Sequence, residues 1–283
     1  MGEPGTFYVV ATPIGNLGDL TARAKDTLRD CDFVVAEDTR RTRQLLTHFG
    51  IRGKAIERLD AHASARDVGR VVERLRAGKS VALVTDAGTP TVSDPGGRVI
   101  EAAIAAGARV VAVPGASALL AALVGSGLVT DGPFRFAGFL PRDGTTRRAA
   151  IAQLCESAET VVLFEAANRT RATLRDLADA TPERPACVAR ELTKVHEEYV
   201  RGTCESLAAV ERTWIGEIAL VLGAYRPAER EQQVTDAVLD ARIDEALGRG
   251  EHARTIAERL AAYSGRPKRA IYERVVARKG SAG

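Results

Sequence analysis

Cysteine is scarce in this 283-residue chain, and the copies it has are scattered. Cys31, Cys155, Cys187 and Cys204 form no CxxC pair, so the sequence indicates neither a zinc site nor the disulfide framework of a small secreted domain. Reduced thiols are therefore expected, as in a cytoplasmic protein. Aromatic residues are also few, and aliphatic residues with alanine dominate, which is typical of a globular α/β protein.

Long apolar runs are lacking too. Residues 110–129 are uncharged over the length of a membrane span, but Pro114 and Gly115 divide them and small residues dilute their hydrophobicity. A strand, a turn and a buried helix explain this stretch better than a transmembrane helix, so we expect no membrane partner. The first residues have neither the basic segment nor the apolar core of a signal peptide.

Two common nucleotide-binding motifs are missing. A β-rich run at residues 7–11 predicts the first strand, and the loop after it contains neither GxGxxG nor GxxxxGK[ST]. This counts against a Rossmann dinucleotide site and against a P-loop. The net charge of +3 is too small to indicate a polyanionic partner by itself, so the distribution of charge matters more.

The central feature that is present is a loop rich in glycine, proline and aspartate, VTDAGTPTVSDPGG at residues 84–97. It follows an apolar run at 80–84 that is typical of a buried parallel strand, and it precedes a helical pattern at 99–106. Open α/β sheets bind ligands in loops that leave the carboxyl ends of their strands. The sequence therefore predicts a ligand-binding loop, with an ordinary strand-to-helix turn as the alternative.

Strands and helices alternate along most of the chain, which predicts two α/β domains. The first has strands at residues 7–11, 33–36, 80–84 and 109–113, and helices at 21–29, 43–49, 67–76 and 99–106. Its sheet is expected to be largely parallel. A second series of strands occupies residues 134–139, 160–164, 186–189, 197–202 and 218–222. We place the first domain at residues 1–118 and the second at 119–228.

Charged residues follow the second predicted strand directly. Glu37, Asp38 and Arg40 belong to the run EDTRRT, at the same edge of the sheet as the loop at 84–97. They form either a polar wall of the ligand site or a helix N-cap with solvated charges. Their position at the ligand-binding edge favours the first interpretation.

Residues 231–283 differ in character and predict a small helical module. Helical patterns cover residues 234–247, 252–263 and 269–279, and the last two flank a short glycine-containing turn, as in a helix-turn-helix unit. From Arg249 onward there are nine basic and three acidic residues, which is typical of contact with a phosphate backbone. A solvated bundle that packs against a domain or a second subunit is the alternative.

Six motifs in chain order carry a resemblance to a known family: TPIGNLGD, AEDTRRT, VTDAGTPTVSDPGG, VPGASA, ARELTKVHEE and GEIALVLG. Together, over about residues 7–223, they resemble the tetrapyrrole-methylase-type S-adenosylmethionine (SAM) methyltransferases. Within that family they are similar to the branch that methylates the ribose 2′-hydroxyl of a cytidine in 16S ribosomal RNA. The helical tail is similar to the C-terminal module of the same branch.

The resemblance implies that SAM binds in a cleft between two α/β domains, that the protein is a homodimer, and that it needs no metal. It implies 16S rRNA or the small ribosomal subunit as the partner. Carried over position by position, the implied cofactor-binding residues are Pro13, Asp86, Ala87, Gly88, Thr89, Val92, Ser117, Ala118, Phe164, Glu165, Leu192 and Glu217.

Departures from the wider family bear on the substrate. Members that methylate porphyrinoids carry GxGPGD in the first loop and GGDP in the third, where this chain has TPIGN and AGTP. This argues against a porphyrinoid C-methyltransferase, which is the alternative within the family. A non-enzymatic helix-turn-helix protein that binds nucleic acid is the alternative outside it. The segment FEAANR also differs from the ES-containing version expected in the RNA branch.

Methyl transfer to a hydroxyl predicts which side chains take part. Such an in-line displacement gains from alignment of the two substrates, and a 2′-hydroxyl needs a base or dipoles that stabilise its anion. Glu37, Asp38 and Asp86 are the candidate bases. Arg40 and Lys194 are candidates for phosphate contact or for lowering the pKa of the hydroxyl. Structural ion pairs are the alternative for each.

Three arginines near the LPRDG turn are expected to contact the RNA backbone rather than take part in chemistry: Arg142, Arg147 and Arg148. The histidines have no spacing typical of metal ligands, and surface or packing roles are expected for them.

Overall fold

The computed structural model describes residues 3–60, 62–94, 96–129, 132–225, 236–249, 251–264 and 266–281. The chain divides into two units, Met1–Tyr225 and Arg226–Gly283. The first unit contains two sheets with their helices, and the described residues of the second unit form helices. The expected first residue of the helical module, 231, lies outside the described residues.

The first sheet is parallel throughout, as predicted. Its strands are β1 (Thr6–Val10), β2 (Phe33–Ala36), β3 (Ala55–Arg58), β4 (Val81–Val84) and β5 (Arg109–Val113), in the order β3-β2-β4-β1-β5. A short 3-10 helix (Leu17–Asp19) follows β1, and the helices are α1 (Ala22–Asp30), α2 (Thr39–His48), α3 (Ala65–Arg76) and α4 (Gly97–Ala105). Helices α1 and α2 pack on one face, α3 and α4 on the other. All four residues of β4 are buried because both faces of the sheet are covered.

The second sheet is mixed. Its strands are β6 (Phe134–Phe139), β7 (Thr160–Ala166), β8 (Pro185–Arg190), β9 (Glu198–Thr203) and β10 (Glu217–Leu222), in the order β6-β7-β10-β8-β9. Only the β6–β7 pair is parallel among these strands. The helices of this part are α5 (Ala118–Ser126), α6 (Gly144–Glu156), α7 (Ala167–Ala180) and α8 (Cys204–Ala208).

The uncharged stretch at 110–129 forms most of β5, the Pro114–Gly115 turn and α5, as the sequence predicts. Ala122 and Leu123 of α5 share an apolar cluster with Cys187 and Ala219 of the second sheet. The helix thus follows the first sheet in the chain but packs on the second. Within the described ranges, no helix combines the length and the apolar character that crossing a bilayer requires.

The second unit is a three-helix bundle of α9 (Asp236–Gly248), α10 (Ala253–Ser264) and α11 (Lys268–Ser281). Its apolar core includes Leu239, Ile243, Ile256, Leu260 and Ile271. Two predicted boundaries shift by a residue each, since α10 begins at Ala253 and α11 at Lys268.

The expectation that the helical module carries a strong positive charge is too high. Residues 231–283 contain ten basic and eight acidic residues, because α9 contributes acids that a count from Arg249 omits. Arg274 pairs with Asp240 at 2.6 Å, and Arg278 pairs with the same carboxylate at 2.9 Å. Much of the basic charge is therefore used in ion pairs that join α11 to α9. Among the described residues, Arg254 and Lys279 form no ion pair.

A fully buried arginine joins three segments of the second sheet's core. The Arg184 side chain is 0% exposed, and its guanidinium donates to the carbonyls of Gly223 (2.9 Å), Leu154 (2.6 Å) and Glu159 (2.8 Å). The planar fork of arginine reaches three acceptors in different directions, which a lysine ammonium does not.

We predict that Arg184→Lys destabilises the protein by about 2–4 kcal/mol, because it leaves buried carbonyls without donors. Chemical denaturation followed by circular dichroism measures the change. Arg175→Lys, at an exposed position of α7, is the matched control and should leave the free energy of unfolding nearly unchanged. Equal stabilities of the two variants would contradict the assignment.

Candidate active site

A cavity of about 360 Å³ opens between the loops of the first sheet and the end of the second sheet where β7 finishes and β10 begins. We call it the main cavity. Ten of the twelve predicted cofactor residues line it: Ala87, Gly88, Thr89, Val92, Ser117, Ala118, Phe164, Glu165, Leu192 and Glu217. Pro13 and Asp86 lie instead in an adjacent recess with Arg41 and His48. The volume is within the range of small-molecule sites.

Backbone contacts fix the first-sheet side of the main cavity. The N–H of Thr12 donates to the carbonyl of Gly88 at 2.9 Å, and the N–H of Gly88 donates back at 3.0 Å. Gly88 has a φ of +87°, and a Cβ there would lie 3.2 Å from Cγ2 of Ile14. The Thr89 hydroxyl donates to the carbonyl of Ala116 at 3.2 Å. The loops after β1, β4 and β5 are thus joined where the cavity begins.

The loop after β4 continues with strained backbone. Thr91 and Ser93 have positive φ values of 73° and 67°, which residues with a side chain rarely adopt. A Cβ on Gly96, at φ 135°, would lie 2.8 Å from Cδ2 of Leu83. Strain of this kind is concentrated at ligand-binding segments, and here it turns Val92, Ser93 and Asp94 towards the cavity.

A buried carboxylate network forms the second-sheet side. The Glu165 side chain is 0% exposed and accepts from the Ala166 N–H at 2.8 Å and from the Thr173 hydroxyl at 2.7 Å. Its carboxylate also pairs with Arg169 at 2.6 Å and with Arg147 at 3.7 Å. Glu165 therefore lines the main cavity with its oxygens already occupied by protein donors.

The expectation that Arg147 contacts RNA is wrong. Its side chain is only 12% exposed, and it donates to Asp176 at 3.0 Å and to Thr173 at 2.9 Å. The Arg147 guanidinium thus joins α6 to α7 through these hydrogen bonds and is not available on the surface. Arg142 and Arg148 differ from it, because both are exposed.

Lys194 lies beside the main cavity in a double ion pair. Its ammonium donates to Glu191 at 2.9 Å and to Glu217 at 3.1 Å, and Glu217 lines the cavity. Burial lowers the pKa of Lys194, but these hydrogen bonds and charges outweigh it, and the net shift is upward. A Cβ on Gly15 would collide with the Lys194 side chain. The lysine is therefore a fixed cation that connects the first loop to the second sheet.

The predicted charged residues Glu37, Asp38, Arg40 and Asp86 do come together, in an outer recess on the first sheet. Asp38 caps α2, since its carboxylate accepts from the N–H of Arg40 at 2.8 Å, and α2 begins at Thr39 rather than at residue 43. These donors lower the pKa of Asp38. Burial, and secondly the charge of Asp86, raise the pKa of Glu37. The Arg40 side chain projects into solvent.

Asp94 is a carboxylate of the main cavity that the sequence reasoning missed. Burial raises its pKa to about 6, and the nearby carboxylates of Glu37 and Asp86 add to the shift. The aspartate lies in the same VTDAGTPTVSDPGG motif as Asp86, so the motif identified the loop but not which acid faces the cavity. Within the part of the chain that the structure describes, no cluster of histidine, cysteine and acidic residues is arranged to hold a metal.

Comparison with protein-family models identifies the family of this chain. The model of the tetrapyrrole (corrin/porphyrin) methylases matches residues 6–208. The chain belongs to this family. The resemblance drawn from the six motifs is thereby confirmed at the level of the family.

Full-length relatives place the chain more closely. "Ribosomal RNA small subunit methyltransferase I" of Xylella fastidiosa is 42% identical over 96% of this chain and 99% of that protein. The protein of the same name from Bacillus subtilis is 36% identical over 96% of this chain and 94% of its own length. Because 96% of the chain is aligned, the similarity extends into the helical tail, which the family model does not cover.

Solved structures of methyltransferases share the fold of the first unit. Uroporphyrin-III C-methyltransferase of Thermus thermophilus, in complex with S-adenosylhomocysteine, superposes with a TM-score of 0.54 at 20% identity, covering 77% of this chain and 97% of that one. The methyltransferase CobJ gives a TM-score of 0.58 at 17% identity, covering 78% and 94%. The predicted two-part α/β fold of the tetrapyrrole methylase type is thus confirmed.

Proposed function

We propose that this protein transfers a methyl group from SAM to the ribose 2′-hydroxyl of a cytidine in 16S rRNA. The observation that carries the proposal is the similarity to ribosomal RNA small subunit methyltransferase I proteins over 96% of the chain. The proposal includes a homodimer in the cytoplasm. Exposed apolar side chains of α5, Leu120 and Val124, support a surface that a second subunit covers.

The main cavity suits SAM in size and lining. Ile14, Phe164 and Leu192 offer an apolar surface for the adenine ring. The backbone at Ala87–Thr89 approaches closely because Gly88 has no side chain, and the carboxylate of Glu217 is an acceptor for the amino group of the methionine portion. When bound, SAM supplies a methyl group on a cationic sulfonium. Protein dipoles and carboxylates of this cavity favour binding of that cation.

The chain's own residues contribute alignment and a proton acceptor. Alignment of two substrates supplies roughly 7–11 kcal/mol of a bimolecular barrier, so positioning is the largest expected contribution. We assign the general base to Asp94, because it is the acid of the charged loops that lines the main cavity. Its carboxylate takes the hydroxyl proton while the ribose oxygen bonds to the methyl carbon and the carbon–sulfur bond breaks, so that the sulfur keeps the electron pair and leaves as the neutral thioether of S-adenosylhomocysteine. Glu37, Asp38 and Asp86 then supply the negative charge of the neighbouring recess rather than the base itself. Arg40 in the same recess is exposed and is available to contact a phosphate.

A porphyrinoid C-methyltransferase is the second candidate, because the neighbouring folds include enzymes named for uroporphyrin. Those structures are only about a fifth identical to this chain, and its loops read TPIGN and AGTP. A tritium-transfer assay separates the candidates. Unmethylated 16S rRNA or small subunits are incubated with methyl-labelled SAM, and the RNA is digested to nucleosides. Label in 2′-O-methylcytidine supports the proposal. Label on base carbons, or only on uroporphyrinogen, overturns it.

Gly88→Val is predicted to abolish SAM binding. The new side chain would meet Ile14 and would be strained at a φ of +87°. Isothermal calorimetry measures the affinity. Gly69→Val, at a helical glycine with open space around it, is the control. Unchanged SAM affinity in Gly88→Val would contradict the placement of the cofactor.

The rate of methyl transfer should rise with pH and level off above about 6, because Asp94 acts as a base only when deprotonated. Asp94→Asn is expected to lower kcat by about 10²–10⁴-fold and to remove this inflection. Asp179→Asn, at an exposed position of α7, is the control. If Asp94→Asn keeps the inflection and Glu37→Gln removes it, the base is Glu37 and the assignment is wrong.

Removal of residues 231–283 is predicted to weaken RNA binding and leave SAM binding intact. The slope of log K against log salt should become shallower by about 0.7 for each lost contact to single-stranded phosphate. Filter binding at several salt concentrations measures both quantities. An RNA affinity and a salt slope equal to those of the full chain would show that the tail does not contact RNA.

A further inference from the structure

An aromatic side chain stands where the main cavity opens to solvent. Phe139, the last residue of β6, lines the cavity and is 56% exposed. Its ring centroid is 5.6 Å from that of Phe164, which in turn is 5.0 Å from that of Phe136. The three rings form a row in which Phe136 and Phe164 are packed and Phe139 is open on one side.

The exposure of Phe139 results from local backbone geometry. The register of β6 against β7 shifts between Phe136 and Phe139, and Gly138 between them has a φ of +64°. A Cβ on Gly138 would lie 3.8 Å from the Ser93 hydroxyl, so the loop before Asp94 faces this end of β6. A bulge of this type re-aims a side chain. Here it directs the ring towards the opening.

The residues after Phe139 are held by the Glu165 network. Arg169 and Arg147, the partners of that carboxylate, also donate to the carbonyls of Leu140 and Pro141, each at 3.4 Å. Next in the chain comes Arg142, which is exposed. An exposed ring that lines the cavity and an exposed cation thus lie three residues apart in the chain.

We propose that Phe139 is the platform on which the base of the target nucleotide stacks, with Arg142 contacting an adjacent phosphate. This inference depends on the proposed RNA substrate. Proteins that bind specific RNA sites stack unpaired bases on aromatic rings and contact the backbone with arginine. A base held on Phe139 leaves its ribose on the side of Asp94 and the methyl donor. The more enclosed Phe164 belongs to the donor.

The test compares Phe139→Leu, which removes the aromatic face, with Phe139→Tyr, which keeps it. Loss of one base–aromatic stack is expected to lower kcat/KM for unmethylated 16S rRNA by about 5- to 100-fold, chiefly through KM. Phe139→Tyr should restore most of the rate. The matched control is Phe134→Leu, at an exposed phenylalanine of the same strand outside the main cavity. SAM affinity, measured by calorimetry, should be the same in all variants.

Two results would overturn the proposal. A loss of SAM affinity in Phe139→Leu would assign the ring to the cofactor, and equal kcat/KM for the Phe139→Leu and Phe134→Leu variants would assign it no role in RNA binding. Failure of the wild-type chain to methylate rRNA would instead reject the proposed function itself. The two failures are thus distinguishable in one set of assays.

Discussion

The reciprocal backbone bonds between Thr12 and Gly88 are the constraint on which the site depends. They join the loop after β1 to the loop after β4 and place consecutive residues in different recesses. Ile14 and Ala87 face the main cavity, whereas their neighbours Pro13 and Asp86 face the adjacent charged recess. The bridge needs the close backbone approach that glycine allows at position 88. The two loops that it joins therefore line both the main cavity and the adjacent charged recess. Under the proposed function, the methyl donor and the charged substrate are bound side by side in these two recesses.

Glu165 has the corresponding role on the second sheet. A buried carboxylate is tolerated only when its oxygens are satisfied, and here two guanidinium groups, a hydroxyl and an N–H do so. Arg169, one of those partners, comes from the FEAANR segment that departs from the expected motif. The departure thus coincides with a self-contained ion network. We infer that Glu165 positions the cavity wall and the segment after Phe139, rather than holding the cofactor through its carboxylate.

Buried strands and the family of the chain were predictable, because their signals are local. The strands β2, β5 and β6 occupy the predicted residues. The edge strand β3 was missed because its AIER sequence carries two charges, and α7 because Ala166 provides no side-chain cap to mark its start. The inward turn of Asp94, the outward turn of Phe139 and the burial of Arg147 depend on contacts between distant segments. A pattern of residue types contains none of that information.

The charge pattern of the second unit bears on where specificity arises. Asp240 binds Arg274 and Arg278, so a phosphate that contacts these arginines must compete with a carboxylate already in place. Exposed ion pairs contribute little stability, so a phosphate can displace the carboxylate. The paired arginines nevertheless attract a phosphate less strongly than unpaired arginines would, because the carboxylate offsets their positive charge. Contacts to phosphate carry no sequence information in any case. Under the proposed function, selection of one nucleotide therefore falls to the first unit, which contains the main cavity.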